Sequence, residues 1–409
     1  MEINKKLKSI LRMAYDNCPY YTEVFNSVLG NNYDFENITY DDFSKIPLLS
    51  RNEIVVNTSR IINQDLTAVD IKELIVTRTS GTVSGYPLEI YWSLGDYVRA
   101  NTYSWEIRKK CYGILPRDRY VSFHTYSYFK NKIQKLQDVE YSKDRINLSL
   151  GALDITDEKL HLYFREITNF KPRWMFISPH LAIELIEYLN KYNLSFPDSL
   201  EYIECTGEVL LPSVQNAIKE YFKIPVVNFY GSMETNGIAI QCPCGNMHVL
   251  DKNVYVEKIE DQIVVTCLSN TKMPLIRYCL GDNIEIDYDG NCQCGNSAPI
   301  ITKISGKESV SFENEGEVIT EKKLAYCIER INSLFFDCIM QYQLLKRVDH
   351  ILFRIYIEEK YEHWEDEILF QLRKELESMG IITNTWEFSF QTTNIKNMKY
   401  YKFKNIVIE

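Results

Sequence analysis

Apolar and polar positions along this chain follow a helical period at first, then mixed periods, then a period of two. Near the N-terminus Ile3, Leu7, Ile10, Leu11 and Ala14 recur among Lys5, Lys6, Lys8 and Arg12, the spacing of one amphipathic helix across residues 1–21. Ile46-Pro47-Leu48-Leu49 reads as an extended link, and Ser50 with Glu53 makes a capping box for the next helix. Leu74-Ile75-Val76 ends a strand, a polar glycine-rich stretch follows, and residues 88–92 return as a strand before a helix over 94–111. Strand-like runs at 119–123, 174–177, 200–205 and 226–229 then alternate with helical runs at 181–193, behind Ser178-Pro179, and at 212–222. Residues 130–144 form a polar loop or lid. Strands separated by helices predict parallel pairing in an α/β layer.

Past residue 240 the period shortens. Runs 254–259, 262–267 and 283–287 read as short antiparallel strands, and Ile304-Ser305-Gly306-Lys307-Glu308 as a polar break. Beyond it a helix over 321–332 starts at Thr320. A hairpin pairs 339–345 with 351–358 around Val348-Asp349-His350. A helix over 364–379 stops at Gly380, and 386–390 alternates as a strand. The predicted organisation is α/β. A large N-terminal domain, 1–305, has mixed sheets with flanking helices and a β-rich part at about 240–300. A small mobile α+β domain follows at 306–409.

Composition narrows the function. The 409 residues are 45% apolar and 25% charged, with a net charge of −10. A nucleic-acid surface needs clustered Lys and Arg, so that class is excluded. No apolar stretch is long enough to span a bilayer and the N-terminus lacks a signal-peptide centre, so a cytoplasmic protein without a membrane partner is expected. Of 11 cysteines, Cys205, Cys267, Cys279, Cys327 and Cys338 sit in apolar runs and are expected in the core. Two turns differ: Gln241-Cys242-Pro243-Cys244-Gly245-Asn246-Met247-His248 and Asn291-Cys292-Gln293-Cys294-Gly295. They offer five thiol or imidazole ligands, and tetrahedral zinc takes four; reduced free thiols are the alternative.

Three other stretches carry chemistry. Thr79-Ser80-Gly81-Thr82-Val83-Ser84-Gly85-Tyr86-Pro87 is either a polar hairpin turn or a cradle of N–H and hydroxyl groups for phosphate. Asn228-Phe229-Tyr230-Gly231-Ser232-Met233-Glu234 presents an aromatic ring that suits a purine and a carboxylate that suits Mg²⁺, or else a core tyrosine and a surface glutamate. In Arg277-Tyr278-Cys279-Leu280-Gly281-Asp282 the aspartate, at a strand end, suits two sugar hydroxyls, or is a turn residue. His124 and His180 are candidate pocket residues, each equally a packed histidine.

In this order, with Cys18-Pro19-Tyr20-Tyr21, Ile46-Pro47-Leu48-Leu49-Ser50-Arg51, Thr206-Gly207-Glu208 and Gly306-Lys307, these stretches give the chain a likeness. It resembles the acyl-adenylate-forming (AMP-binding) enzymes, specifically the phenylacetate–CoA ligase and CapK-like branch, over nearly its whole length. The resemblance implies that Thr79, Ser80, Gly81 and Thr82 hold the ATP phosphates. It places Gly207 and Glu208 beside adenine, with Tyr230, Gly231 and Ser232 near it. Glu234 binds Mg²⁺, Asp282 takes the ribose hydroxyls, and Lys307 reaches the ribose where the family has arginine. Glu308 or Ser309 is the hinge. The catalytic lysine of the C-terminal domain matches Lys399, with Lys396 and Lys402 as rivals. The branch also selects Cys242, His248, Cys292 and Cys294 as ligands of a structural zinc, with Cys244 as a substitute. The chain departs from the pattern in a longer phosphate loop, in Met233 where a threonine is usual, and in lacking the glycine before Lys399.

The implied activity is ATP-dependent activation of a carboxylic acid, by family preference an aryl acid, as acyl-AMP. Transfer to the thiol of coenzyme A or of a carrier protein's phosphopantetheine follows. An amide-forming ligase, or a non-catalytic nucleotide-binding or assembly protein, is the alternative.

Overall fold

The computed structural model describes residues 3–65, 74–78, 88–124, 138–152, 155–307, 311–335, 338–393, 395 and 405–409. Compactness divides it into two units: residues 1–113 with 229–304, and residues 114–228 with 305–409.

The first unit opens with helices. The predicted helix over 1–21 is two, Lys5–Asn17 and Pro19–Leu29. Cys18 leaves helical geometry at φ −119° and ψ 105°, and Pro19, with no N–H to donate, starts a new helix. The capping box at Ser50 and Glu53 closes in both directions and starts the helix Arg51–Ile61. Ahead of it, Leu49 pairs with a distant strand, through Leu49 N–H to Arg277 O at 2.9 Å and Cys279 N–H to Leu49 O at 3.0 Å. Strands Ile75–Arg78 and Glu89–Trp92 pair antiparallel, with Thr77 opposite Ile90. Ser93 caps the helix Leu94–Tyr112, which ends at Gly113 in the left-handed region.

Further antiparallel strands of this unit include Asn236–Gln241, Met247–Val249, Val254–Ile259, Gln262–Cys267 and Tyr278–Asp287. Their core joins Leu7, Phe25, Phe43 and Trp92 of the N-terminal segments to Ile238, Val265 and Ile276 of the strands. Two expectations change here. The third short strand begins at Tyr278, not 283, so Asp282 lies inside a strand. The stretch expected as a break at 304–308 is strand through Lys307, because Ile300–Lys307 is paired to Met247–Val249.

In the second unit strands Tyr120–His124, Asn147–Gly151, Trp174–Ile177 and Tyr202–Cys205 run parallel, with helices Asp157–Phe170 and Pro179–Lys191 between them and Pro212–Phe222 after the last. The described end of the expected loop at 130–144 is a strand, Val139–Tyr141, antiparallel to Asn147–Gly151. Residues 339–346 and 351–357 form the expected hairpin, flanked by Trp386–Gln391 and Ile406–Ile408 in one four-stranded sheet. Helices Glu321–Leu334 and Glu365–Ser378 cover it, the first capped by Thr320. Met340 and Tyr356 join the core of the parallel layer, and Ser213 Oγ donates to Ile339 O at 2.9 Å. Among the described residues no helix is long and apolar enough to cross a membrane.

Candidate active site

The strand Val226–Ser232 carries Tyr230 into a turn that ends at Glu234. Gly231 sits there because a Cβ would lie 2.5 Å from Asn236 O. The turn is held from several sides. Ser232 and Thr235 hydroxyls are 3.1 Å apart. Asn253, fully buried, donates to Thr235 O at 2.8 Å and Gly237 O at 2.6 Å. Thr77, in the strand before the glycine-rich stretch, donates its hydroxyl to Met233 O at 3.0 Å and accepts from Trp92 Nε1 at 3.3 Å.

Two contacts bring the predicted carboxylates to this turn. Tyr230 Oη donates to Asp282 Oδ2 at 2.7 Å. Tyr278 Oη donates to Glu234 Oε1 at 3.1 Å. Glu234 is 4% exposed and Tyr278 2% exposed, so the alternative of a surface glutamate fails. Burial, with Asp282 adding, raises the Tyr230 hydroxyl well above its ordinary value. Burial and Glu234 do the same for Tyr278, against a downward pull from Arg51, which hydrogen-bonds it. Both phenols are therefore neutral donors.

A bulge aims Asp282. Gln262 pairs with Asn283 but Val264 with Cys279, so two extra residues sit in the second strand, and Gly281 adopts φ 84°. Arg277 fixes the start of the segment. Its guanidinium pairs with both oxygens of Glu257 at 3.1 Å and donates to Ser44 O at 2.6 Å and to Ile46 O. Burial raises the Glu257 carboxyl despite the pull of Arg277. Cys279, expected in the core, is half-buried and donates to Gln262 Oε1 at 2.8 Å.

In the second unit Gly207, at φ 85°, turns the chain after the strand Tyr202–Cys205 and presents Glu208. Glu208 Oε1 lies 2.7 Å from Nδ1 of His180, at the start of the helix Pro179–Lys191. Burial opposes protonation of His180, but Glu208 and Glu184 outweigh it and raise its pKa. His124 ends its strand, and burial lowers it to about 4, as for a packed neutral histidine. Thr79, Ser80, Gly81, Thr82, Lys396, Lys399, Lys402, Glu308 and Ser309 lie outside the described residues, as does the side chain of Lys307.

The cysteine turns do meet. One ligand atom each from Cys242, His248, Cys292 and Cys294 falls within 4.8 Å of all the others. Cys242 Sγ and Cys292 Sγ are 3.7 Å apart, and Cys294 Sγ is 3.3 Å from His248 Nε2. Tetrahedral zinc with ordinary bond lengths has sulfur–sulfur edges of about 3.8 Å and sulfur–nitrogen edges of about 3.6 Å, so the donors fit it. His248 Nδ1, 3.1 Å from Ala298 O, must carry the proton, which leaves Nε2 free to ligate. Asn246 donates to Cys292 Sγ at 3.2 Å and with other contacts draws that thiol down to about 5. Cys244 is exposed, within reach of Cys242 and Cys292.

No family model matches the chain. Over 404 residues it is 20% identical to protein CapK of Staphylococcus aureus, covering 96% of this chain and 85% of CapK. Over 158 residues it is 25% identical to phenylacetate-coenzyme A ligase of Thermus thermophilus, covering 34% of this chain and 35% of that one. In sequence the chain is thus similar to proteins of the phenylacetate–CoA ligase and CapK-like branch of the adenylate-forming enzymes. Its fold is accordingly similar to that of 2-hydroxyisobutyryl-CoA ligase in the postadenylation state with R3-HIB-AMP. That TM-score is 0.73 at 16% identity, covering 99% of this chain and 88% of the ligase. GH3.15 acyl acid amido synthetase matches at TM-score 0.55 and 14% identity, over 90% of this chain and 81% of its own. The fold is thus a large α/β part and a small C-terminal α+β part.

Sequence reasoning missed Thr77, Asn253, Glu257 and the roles of Arg51 and Tyr278. Arg51 and Tyr278 stand inside the motif stretches, but the hydrogen bond between them joins segments more than two hundred residues apart in sequence and has no local signal.

Proposed function

We propose that this chain is an ATP-dependent carboxylic-acid ligase that forms an acyl-AMP and passes the acyl group to a thiol. The observation that carries this is the two pairs Tyr230–Asp282 and Tyr278–Glu234, which join one turn to one strand, in a chain aligned with CapK over nearly its full length. Aromatic ring, sugar-binding carboxylate and buried cation-binding carboxylate are the parts an adenylate site needs.

A carboxylate is a poor electrophile. Its oxygen attacks the α-phosphorus of ATP, the bond to the bridging oxygen breaks, and pyrophosphate leaves. The thiolate then attacks the acyl carbon and AMP leaves. Negative charge spreads over phosphate oxygens in the first step, so cationic and N–H donors dominate its catalysis. Thr79, Ser80, Gly81 and Thr82 hold the phosphates, and Lys399 brings positive charge to the α-phosphate. Gly207 and Glu208 border adenine, Tyr230, Gly231 and Ser232 line its site, and Asp282 with Lys307 binds the ribose. Glu234 holds Mg²⁺, which when bound neutralises phosphate charge. The domain 306–409 turns at Glu308 or Ser309 between half-reactions. The acid is an aryl acid, the acceptor coenzyme A or carrier-protein phosphopantetheine, and the compartment the cytoplasm. Cys242, His248, Cys292 and Cys294 hold a structural zinc, because four protein ligands leave no open position.

Acid-dependent ATP–pyrophosphate exchange across aryl and aliphatic acids tests this. Exchange is expected with at least one aryl acid and is abolished by Lys399→Ala and by Glu234→Ala. No exchange with any acid, despite measurable ATP binding, would favour a non-catalytic nucleotide-binding protein. Adenylate consumed by an amine but by no thiol would make the chain an amide-forming ligase.

A further inference from the structure

Glu234 is a buried carboxylate whose Oε1 receives one hydrogen bond, from Tyr278, at 3.1 Å. The same Tyr278 hydroxyl is hydrogen-bonded by Arg51. A guanidinium only donates. The tyrosine oxygen therefore accepts from Arg51, and its own proton is committed to Glu234. Backbone contacts hold both ends of this relay. Leu49, two residues before Arg51, is bonded to residues 277 and 279 on either side of Tyr278. Arg51 stands in the first turn of a helix fixed by its capping box. Across the relay, Thr77 and Asn253 hold the carbonyls that flank Glu234.

We infer that Tyr278, oriented by Arg51, is the positioning residue that sets the Glu234 carboxylate to receive a divalent cation. The inference rests on the reading of Glu234 as the Mg²⁺ residue. A guanidinium placed directly on Glu234 would neutralise it and compete with the cation. Interposing a neutral hydroxyl passes on the orientation without the charge. One oxygen is pinned, rotation of the carboxylate stops, and the second oxygen is presented in one direction.

The test is calorimetric titration of ATP into the full-length protein over a range of Mg²⁺ concentrations and in chelator. It compares wild type, Tyr278→Phe, Arg51→Gln, Arg51→Lys and Glu234→Gln. Tyr278→Phe and Arg51→Gln are expected to raise the half-saturating Mg²⁺ about tenfold, with ATP affinity in chelator unchanged and Arg51→Lys close to wild type. Arg51 is half-buried, so its variants remain informative if Tyr278→Phe does not fold. The inference is overturned if Glu234→Gln shifts the Mg²⁺ requirement but Arg51→Gln and Tyr278→Phe do not. It is equally overturned if these two variants weaken ATP binding in chelator as much as in Mg²⁺. If Glu234→Gln itself leaves the requirement unchanged, the reading of Glu234 falls, and the inference with it.

Discussion

His180 and Glu208 show how a residue's partner decides its chemistry. Burial pushes a histidine toward its neutral form, as at His124, where it lowers the pKa to about 4. His180 is also buried, yet the Glu208 carboxylate 2.7 Å from Nδ1, with Glu184 adding, carries its pKa above the ordinary 6.5. The sign of the linkage follows. The folded state binds this proton more tightly than the unfolded state, so the pair's stabilisation is complete below 6.5 and is lost as pH rises through the folded-state pKa. His180→Gln keeps a hydrogen-bonding group but cannot be protonated. It should destabilise the protein by about 1–3 kcal/mol at acid pH, and the gap in melting temperature from wild type should shrink as pH rises. A gap that is constant or widens toward alkaline pH would mean that His180 is neutral in the fold.

Among the elements, the bend at residues 229–237 sets Tyr230 and Glu234, and it depends on having no side chain at Gly231. A Cβ there would meet Asn236 O at 2.5 Å and a ring carbon of Phe229 at 2.9 Å. Backbone cannot yield as a flexible side chain can, so Gly231→Ala should cost about 1–3 kcal/mol by overpacking. It should also displace the turn held by Thr77 and Asn253. Urea unfolding should show that loss, and pyrophosphate exchange should fall at least as far as in Tyr278→Phe; unaltered exchange would mean that the bend does not position the site. Local rules made much of this level legible. The capping box at Ser50 and Glu53, the Thr320 cap and the hairpin at 339–358 each depend on residues within a few positions of one another, and all are present. What was hidden depends on pairing. The bulge that puts Asp282 inside a strand exists only against residues 262–264. Ser305-Gly306-Lys307 has the composition of a break, yet it continues a strand that is paired at Ile300 and Ile301. The motif stretches around Tyr230, Glu234 and Asp282 stood out in sequence by their glycine and carboxylate spacing, whereas the relay through Arg51 and Tyr278 belongs to tertiary structure.

At the scale of the whole molecule, the cysteine cluster joins positions 50 apart, Cys242 and Cys292, on two separate turns. A cross-link over a loop of that length removes unfolded-state entropy worth about 4 kcal/mol if it is as rigid as a covalent bond. A metal that binds only the folded chain adds stability with its free concentration, about 4 kcal/mol at a thousandfold excess over Kd. Other contacts hold the donors: His248 Nδ1 lies 3.1 Å from Ala298 O, and Asn246 donates to Cys292 Sγ. Purified protein should carry one equivalent of zinc. Chelation should lower the melting temperature by about 5 °C, and readdition of zinc should restore it. Cys292→Ser should lack the metal and melt at the chelated temperature with or without added zinc. Cys244→Ser, altering the exposed thiol outside the four-donor group, should keep both metal and melting temperature. If instead Cys244→Ser loses zinc while Cys294→Ser keeps it, the ligand set is Cys242, Cys244, His248 and Cys292. If wild type holds no zinc and does not respond to chelation, the four donors are a packed group of reduced thiols and a histidine, held by their hydrogen bonds alone.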